Sequence, residues 1–349
     1  MTALTDAIKK VATGPHLSKD LNLEEAQAAM TEILSGEADP VQAAIFFIAL
    51  RIKRETDAEN LGIYQALQAC TRQHEVNVDQ LLLMADPFNG YNRHCPIHAF
   101  LPAVLAAADL PTLSQGVKEM GPKFGVTHSQ VLSLAGINVD LTTIQARDNI
   151  NASDVAWAYL DQAQASPALF TLQDLRTRMI KRPSLATLEK MIMPIKASGK
   201  THLHIGFVHK AYPAVLAWIA NAAGFDSAMI VRGIEGGILP TLREPANCFQ
   251  SYTGQAESCE LDPSDFGLAQ TTRGVLPMDN ETVTAVETLE LGMKALDGQS
   301  GAAFDSLVYG GAIGLWHCGL QASKQQAAAH VRHVIQSGRA KAFFQNVIS

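Results

Sequence analysis

The sequence predicts an α/β protein with a small, discontinuous all-helical domain and a large α/β domain that has a mainly parallel central sheet. Two observations predict this fold class. The first 75 residues carry only helix signals, whereas from residue 80 onward short apolar runs typical of buried strands alternate with helical segments. A chain of 349 residues is long enough to bury two cores. We expect the helical domain to comprise residues 1–76 and 172–196, and the α/β domain residues 77–171 and 197–349.

Capping signals mark the helix starts of the N-terminal part. A first helix is predicted over Thr5–Val11. Residues 22–25 and 56–59 each match a capping box, in which the first and fourth residues satisfy each other's backbone amides. Asp39 is a good N-cap, and Pro40 suits the first helical position. Short connections between these helices predict antiparallel neighbours.

The α/β part is organised around one strand–turn–helix unit. Leu81–Ala85 is predicted to be a buried strand, followed by the turn Asp86–Tyr91 and a small-residue helix, Ile97–Ala108. Further strands are predicted over residues 111–114, 202–208, 227–231 and 248–252. Further helices are predicted over 131–137 (capped at Thr127), 155–163 (capped at Ser153 or Asp154), 172–195, 213–223, 280–296 and 301–348.

Composition narrows the class of protein. Hydrophobic residues make up 47% of the chain and charged residues 17%, which is typical of a globular protein. No apolar run reaches membrane-spanning length, and the N-terminus has no apolar signal core, so we expect a cytoplasmic location and no membrane partner. The five cysteines are scattered, which favours reduced thiols. Because the net charge is −7, nucleic-acid binding would need a local basic patch.

Basic residues near the predicted strand ends indicate an anion site. The ends of parallel strands meet at one edge of a sheet, where ligands of α/β proteins bind, and arginine suits phosphate or carboxylate. The alternative is that these residues are solvated or ion-paired at the surface. The residues concerned are Arg93, Lys118, Lys123, Arg176, Arg178, Lys181, Arg182 and Arg232.

Two groups of potential metal ligands do not predict a definite metal site. His94, Cys95 and His98 lie within five residues, but no partner with metal-site spacing occurs elsewhere, so a polar cluster at a helix start is favoured. Asp86 and Glu235 are weak candidates for one shared metal ion, because each is a lone carboxylate in its loop. We predict no definite metal site, and the sequence assigns no catalytic residue.

The order of helical hairpins, strand–turn–helix, Gly/Lys connection, Arg-rich helical return and second βαβ unit resembles the anthranilate phosphoribosyltransferase family over nearly the whole chain. The resemblance implies a homodimer formed through the helical domains. It also implies phosphoribosyl pyrophosphate (PRPP) and Mg²⁺ bound at the hinge between the domains.

The functional motifs of that family match poorly. Its diphosphate loop G-T-G-G-D falls on residues 86–90, and the following Ser-Thr falls on residues 98–99. Its K-H-G-N-R segment falls on residues 114–118, which keep Gly116 and Lys118. Its H-G motif becomes Arg232-Gly233, and its adjacent Asp-Glu pair that holds Mg²⁺ is absent. Its two arginines six residues apart, the first of which contacts anthranilate, are matched by Arg176 and Arg182.

The resemblance therefore implies a family scaffold with an anion-binding hinge but diverged from, or inactive in, standard PRPP–anthranilate transfer. Mg²⁺ is expected only if transferase activity is retained; a working transferase with an altered acceptor would hold the metal with Asp86 and Glu235. Candidate contacts to a small phosphorylated ligand are Asn89, Gly90, Gly116, Lys118, Arg176, Arg182, Arg232 and Gly233.

A second interpretation is nucleic-acid binding. The Asn-Gly turn at residues 89–90, Arg51–Lys53 and the Gly-x-Glu-Gly loop at residues 233–236 resemble the motif-degenerate, YbiB-type paralogues of the family, which are associated with nucleic-acid binding. A basic groove across the dimer would then be lined by Lys118, Lys123, Arg178, Lys181 and Arg182.

Overall fold

A computed structural model describes residues 2–14, 16–278 and 282–347. Four helices form the N-terminal part: α1 (Ala3–Val11), α2 (Leu23–Leu34), α3 (Pro40–Lys53) and α4 (Asp57–Ala69). Both predicted capping boxes are confirmed, at the starts of α2 and α4, and the Asp39 carboxylate caps α3. The local signals of this part were therefore sufficient to place its helices.

Strands and helices alternate in the remainder of the chain. The strands are β1 (His74–Val76), β2 (Gln80–Ala85), β3 (Thr112–Gly116), β4 (Trp157–Asp161), β5 (Ile195–Ala197), β6 (Lys200–Gly206), β7 (Ser227–Val231), β8 (Ala246–Ser251) and β9 (Glu257–Leu261). The helices are α5 (Leu101–Ala107), α6 (His128–Leu134), α7 (Thr143–Asn151), α8 (Gln162–Ala165), α9 (Pro167–Phe170), α10 (Gln173–Met179), α11 (Leu185–Leu188), α12 (Tyr212–Ala222), α13 (Ala285–Leu296), α14 (Ala302–His317), α15 (Lys324–Gln336) and α16 (Arg339–Gln345).

The central sheet has the strand order β4-β3-β2-β6-β7-β8-β9. Its first five strands are parallel to one another, whereas β8 is antiparallel to β7 and β9 is antiparallel to β8. This arrangement confirms the predicted fold class. A separate pair of parallel strands, β1 and β5, joins the two segments of chain that run between the helical part and the sheet. The carboxyl ends of the five parallel strands consequently share one edge.

Two apolar cores cover the two faces of the sheet. Leu81, Leu83 and Ala85 of β2 belong to the core shared with α1–α4 and α12, whereas Leu82 and Met84 belong to the core shared with α5 and α14–α16. A strand buried on both faces reads as a continuous apolar run, which is why residues 81–85 were recognisable. In the described residues, no helix is both long and apolar enough to cross a membrane.

The segment between β4 and β5 returns to the helical part. Helix α10 packs against α3, and α11 packs against α4. Both helices are short, and the chain between them passes through Ile180, a non-glycine residue with φ of 63°. This break brings Lys181 and Arg182 to the surface between α10 and α11.

The helix predicted over residues 155–163 is wrong. Residues Trp157–Asp161 form strand β4, which is fully buried beside β3. A short apolar run does not distinguish a buried helix from a buried strand, and here pairing with β3 decided the outcome. Helix α13 begins at Ala285 with Thr284 as its cap, later than predicted, and residues 280–281 of the predicted start lie outside the described residues.

Candidate functional site

A cleft of about 520 Å³ lies at the carboxyl edge of the sheet. Its walls come from the turn after β2, the loops after β3, β6 and β7, the α10–α11 segment, and Arg51 of α3. The cleft thus lies where the helical part meets the strand ends, the position at which α/β sheets bind ligands.

Cations dominate the mouth of this cleft. Arg51, Lys181 and Arg182 line it, and all three are exposed. No ion pair joins any of them to a carboxylate in the described part of the chain. The Arg51 guanidinium donates to the carbonyl of Arg182, which ties α3 to the loop after α10. These side chains are available to an anion because no protein carboxylate neutralises them.

Lys190 provides a further cation deep in the cleft. Its side chain is buried, and Nζ donates to the Gly206 carbonyl at 3.1 Å. Burial lowers the pKa of Lys190 to about 8, although the nearby charges of Asp86 and Glu189 act in the opposite direction. A buried lysine with a perturbed pKa in a cleft is a strong candidate for ligand contact.

Arg176 is committed to a buried ion pair. Its two terminal nitrogens donate to the two carboxylate oxygens of Glu189, at 2.5 and 2.7 Å. Gln162 Nε2 donates to the same carboxylate at 2.9 Å. Arg176 and Glu189 are both almost fully buried. The guanidinium lines the cleft, but its charge is already neutralised by a protein group.

Glu235 joins three loops. Its carboxylate accepts hydrogen bonds from the backbone amides of Asn92, Arg93 and His94, and it pairs with Lys123 at 2.7 Å. Burial alone raises the pKa of Glu235, but the bonds from His94, Lys123 and the Asn92 amide lower it to about 2. Both carboxylate oxygens are engaged, so the ionised form is stabilised by protein donors.

The donor set of the cleft does not fit Mg²⁺. Of the residues that the structure describes, Glu189 and Glu235 are the carboxylates lining the cleft, and each is held by a basic side chain. A hard cation needs ionised oxygens facing it. Moreover, Pro87 and Phe88 line the cleft where a glycine-rich turn would offer backbone amides. Phe88 forms a small apolar cluster with Val117 and Met120.

Asp86 lies behind the cleft with two histidines. Its Oδ2 is 3.0 Å from His98 Nε2 and 3.1 Å from His128 Nε2, while Oδ1 accepts from the Tyr91 hydroxyl at 2.8 Å. Burial alone raises the pKa of Asp86, but the two histidines lower it to well below its usual range. Asp86 and Glu235, predicted as weak partners in one metal site, therefore have separate sets of partners.

The structure brings only some of the predicted site residues to the cleft. Its described lining includes Asn89, Arg176, Lys181, Arg182 and Glu235. The others lie outside that lining: Asp86, Gly90, Arg93, Gly116, Lys118, Lys123, Arg178, Arg232 and Gly233.

Four of these residues illustrate the surroundings found outside the cleft. Arg178 pairs with Asp174, and Arg232 and Lys118 are exposed. Gly90 has a φ of 71°, and a side chain there would overlap the Gly125 carbonyl at 2.3 Å. This glycine therefore allows the turn after β2 to pack on the loop after β3.

Sequence reasoning missed Lys190 and the grouping of His128 with Asp86 and His98. Lys190 lies within the helix predicted over 172–195, next to Glu189, and nothing local indicated that its side chain would be buried at the cleft. His128 had only the signal of its neighbour Thr127, which caps α6.

Comparison with known proteins identifies the family. Residues 5–70 match the helical bundle domain of a glycosyl transferase family, and residues 95–341 match its α/β domain. The chain is 27% identical over 317 residues to the anthranilate phosphoribosyltransferase of Pelotomaculum thermopropionicum, covering 89% of this chain and 86% of the relative. It is 24% identical to that of Methanobrevibacter smithii, covering 97% and 96% of the two chains.

Solved structures share the fold. The anthranilate phosphoribosyltransferase of Thermus thermophilus superposes with a TM-score of 0.80 at 18% identity, covering 100% of this chain and 98% of that one. The Saccharomyces cerevisiae enzyme in complex with PRPP and Mg superposes with a TM-score of 0.80 at 14% identity, covering 99% and 97%. The chain therefore belongs to the glycosyl transferase family built from a helical bundle domain and an α/β domain, the family of the anthranilate phosphoribosyltransferases.

Proposed function

We propose that the cleft binds a phosphate-bearing ligand, and that the chain does not catalyse the Mg²⁺-dependent transfer of a phosphoribosyl group to anthranilate. The observation that carries this proposal is the charge pattern of the cleft. Arg51, Lys181 and Arg182 have no carboxylate partner among the described residues, whereas both lining carboxylates, Glu189 and Glu235, are neutralised.

This charge pattern favours binding of an anion, but it lacks the groups that stabilise pyrophosphate as a leaving group. A departing pyrophosphate develops charge that a metal ion or an array of amides must stabilise, and loss of such a group typically costs about 10²–10³ in rate. The cleft offers no free carboxylate for the metal in its described lining, and Phe88 occupies the turn where amides would be needed. Arg176, which the family resemblance assigns to anthranilate, is bound to Glu189.

The first prediction concerns activity. With PRPP, Mg²⁺ and anthranilate, we expect anthranilate fluorescence to stay at the level of the enzyme-free reaction, while the Thermus thermophilus relative consumes it under the same conditions. In a chelating buffer, inorganic pyrophosphate is expected to bind the chain, as measured by calorimetry, because the cleft cations need no metal. Turnover of anthranilate, or pyrophosphate binding that requires Mg²⁺, would contradict the proposal.

A matched pair of variants locates the binding. Arg182→Ala is expected to weaken pyrophosphate binding about 10-fold, the effect of losing one charge-assisted hydrogen bond. Arg178→Ala is the control, because Arg178 is also exposed but pairs with Asp174 and lies outside the cleft lining. Equal effects of the two substitutions would indicate a general charge effect rather than a site.

Nucleic acid is the second candidate ligand. Exposure of Arg51, Lys181 and Arg182 at the cleft mouth favours it, since a strand could follow such a line of cations. Fluorescence anisotropy with a labelled single-stranded oligonucleotide separates the two ligands. A nucleic-acid site predicts affinity well above that for pyrophosphate and falling linearly in a log–log plot against salt.

We also propose a homodimer through the helical part. Val41, Ile45, Ile48 and Ile52 follow each other along one face of α3, and Ile52 is 75% exposed. Apolar side chains in such a row are typical of an interface between copies. Ile45→Asp is expected to convert the dimer to a monomer in light scattering, whereas Ile144→Asp, at a similarly exposed position on α7, leaves the mass unchanged.

A further inference from the structure

Three side chains that the proposed function does not use meet behind the cleft. Asp86 follows β2, His98 lies in the short helical turn before α5, and His128 is the first residue of α6. Each of the three is only 4% exposed. One ligand atom from each, a carboxylate oxygen and two imidazole nitrogens, lies within 4.8 Å of the others.

The spacing of these atoms fits a shared metal ion. Ligands about 2.1 Å from an ion are separated by about 3.0 Å at right angles and by about 3.4 Å in a tetrahedron. Asp86 Oδ2 is 3.0 Å from His98 Nε2 and 3.1 Å from His128 Nε2. In addition, His128 Nε2 is buried without an aligned hydrogen bond in the described structure, so this nitrogen is free to bind an ion.

Outer contacts orient the same ligands. Ser114 Oγ lies 3.3 Å from His128 Nδ1, which directs Nε2 toward Asp86. The Tyr91 hydroxyl and the Ile238 amide donate to Asp86 Oδ1, leaving Oδ2 to face the histidines. A side chain at Gly237 would overlap the Tyr91 hydroxyl, so a glycine is needed for this contact. Such partners are characteristic of metal sites.

We propose that Asp86, His98 and His128 bind one divalent transition-metal ion, with water completing its coordination. Two imidazoles and one carboxylate favour zinc, cobalt or iron over magnesium. The three ligands lie outside the cleft lining, although Asp86 directly precedes Pro87 of that lining. An ion would join the turn after β2 to the start of α6, which follows the neighbouring strand β3.

The test is binding of Co²⁺ to the full chain after removal of metal with a chelator. We expect one Co²⁺ per chain by calorimetry and a visible absorption band characteristic of nitrogen and oxygen ligands, which Zn²⁺ abolishes by displacement. His98→Gln and His128→Gln are each expected to weaken binding more than about 100-fold, beyond the cost of outer-shell changes. His94→Gln is the matched control, because His94 contacts Glu235 instead.

Two results would overturn the proposal: absence of a saturable Co²⁺ spectrum in the wild-type chain, or undiminished binding in both histidine variants. If a variant fails to fold, as judged by circular dichroism, the wild-type spectrum still decides. Pyrophosphate binding is measured in the same samples, so failure of the metal site and failure of the anion cleft are distinguishable.

Discussion

Arg176→Met is expected to lower the free energy of unfolding by about 3–5 kcal/mol. The substitution removes the guanidinium that neutralises Glu189 and leaves that carboxylate buried, with Gln162 as its remaining side-chain donor among the described residues. Glu189 is 1% exposed, so water cannot replace the lost partner. Urea unfolding followed by circular dichroism measures the change.

The double variant Arg176→Met/Glu189→Leu serves as the control. Replacing both members of a buried ion pair by apolar residues is often close to neutral, so most of the lost stability is expected to return. The coupling between the two sites then gives the interaction directly. If Arg176→Met instead leaves stability unchanged and abolishes pyrophosphate binding, Arg176 is a ligand contact, as the family resemblance implies.

Lys190→Met is expected to weaken anion binding about 10- to 100-fold while making the chain more stable at pH 7. The loss of affinity corresponds to one charge-assisted hydrogen bond. The gain in stability, about 1–3 kcal/mol, arises because burial disfavours the charged amine, as its pKa of about 8 indicates. If Lys190 instead stabilises the fold, Lys190→Met will lower the free energy of unfolding.

Titration of Lys190 is expected to change both the stability of the chain and its affinity for anions, in opposite directions. Between about pH 8 and the usual lysine pKa near 10.4, the unfolded chain binds more protons than the folded chain, so this group makes stability rise with pH. Anion affinity moves the other way and falls as pH rises through about 8. Sulfate is the suitable probe because its charge is constant over this range, and the Lys190→Met variant is expected to lose this dependence.

Sequence signals predicted the helix starts and turns whose interacting residues are close together in the chain. The capping boxes at residues 22–25 and 56–59 are contacts between residues three apart, so the sequence alone contains both partners. The same holds for the turn after β2, where Gly90 permits a positive φ. By contrast, β4 pairs with β3, a segment distant in sequence, and that pairing is not visible in residues 155–163 alone.

The candidate site was harder to predict for the same reason. Arg176 and Glu189 are 13 residues apart, and Glu235 contacts residues more than 100 positions away. Charged residues near strand ends are recognisable in sequence, but their partners are not. Arg182 and Lys181, two of the predicted residues, line the cleft, but the sequence did not distinguish a cation paired within the protein, such as Arg176, from one without a carboxylate partner in the described structure.

The carboxylate of Glu235 also determines where the entropy cost of ligand binding falls. It holds the loops after β2, β3 and β7 in one arrangement before any ligand arrives. That wall of the cleft is preorganised, so little conformational freedom is lost there on binding. The exposed, rotamer-rich side chains of Lys181 and Arg182 are not held in this way, and immobilising each on a ligand costs about 0.5–1.5 kcal/mol. For the proposed anion, the entropic cost of binding therefore falls mainly on these two side chains.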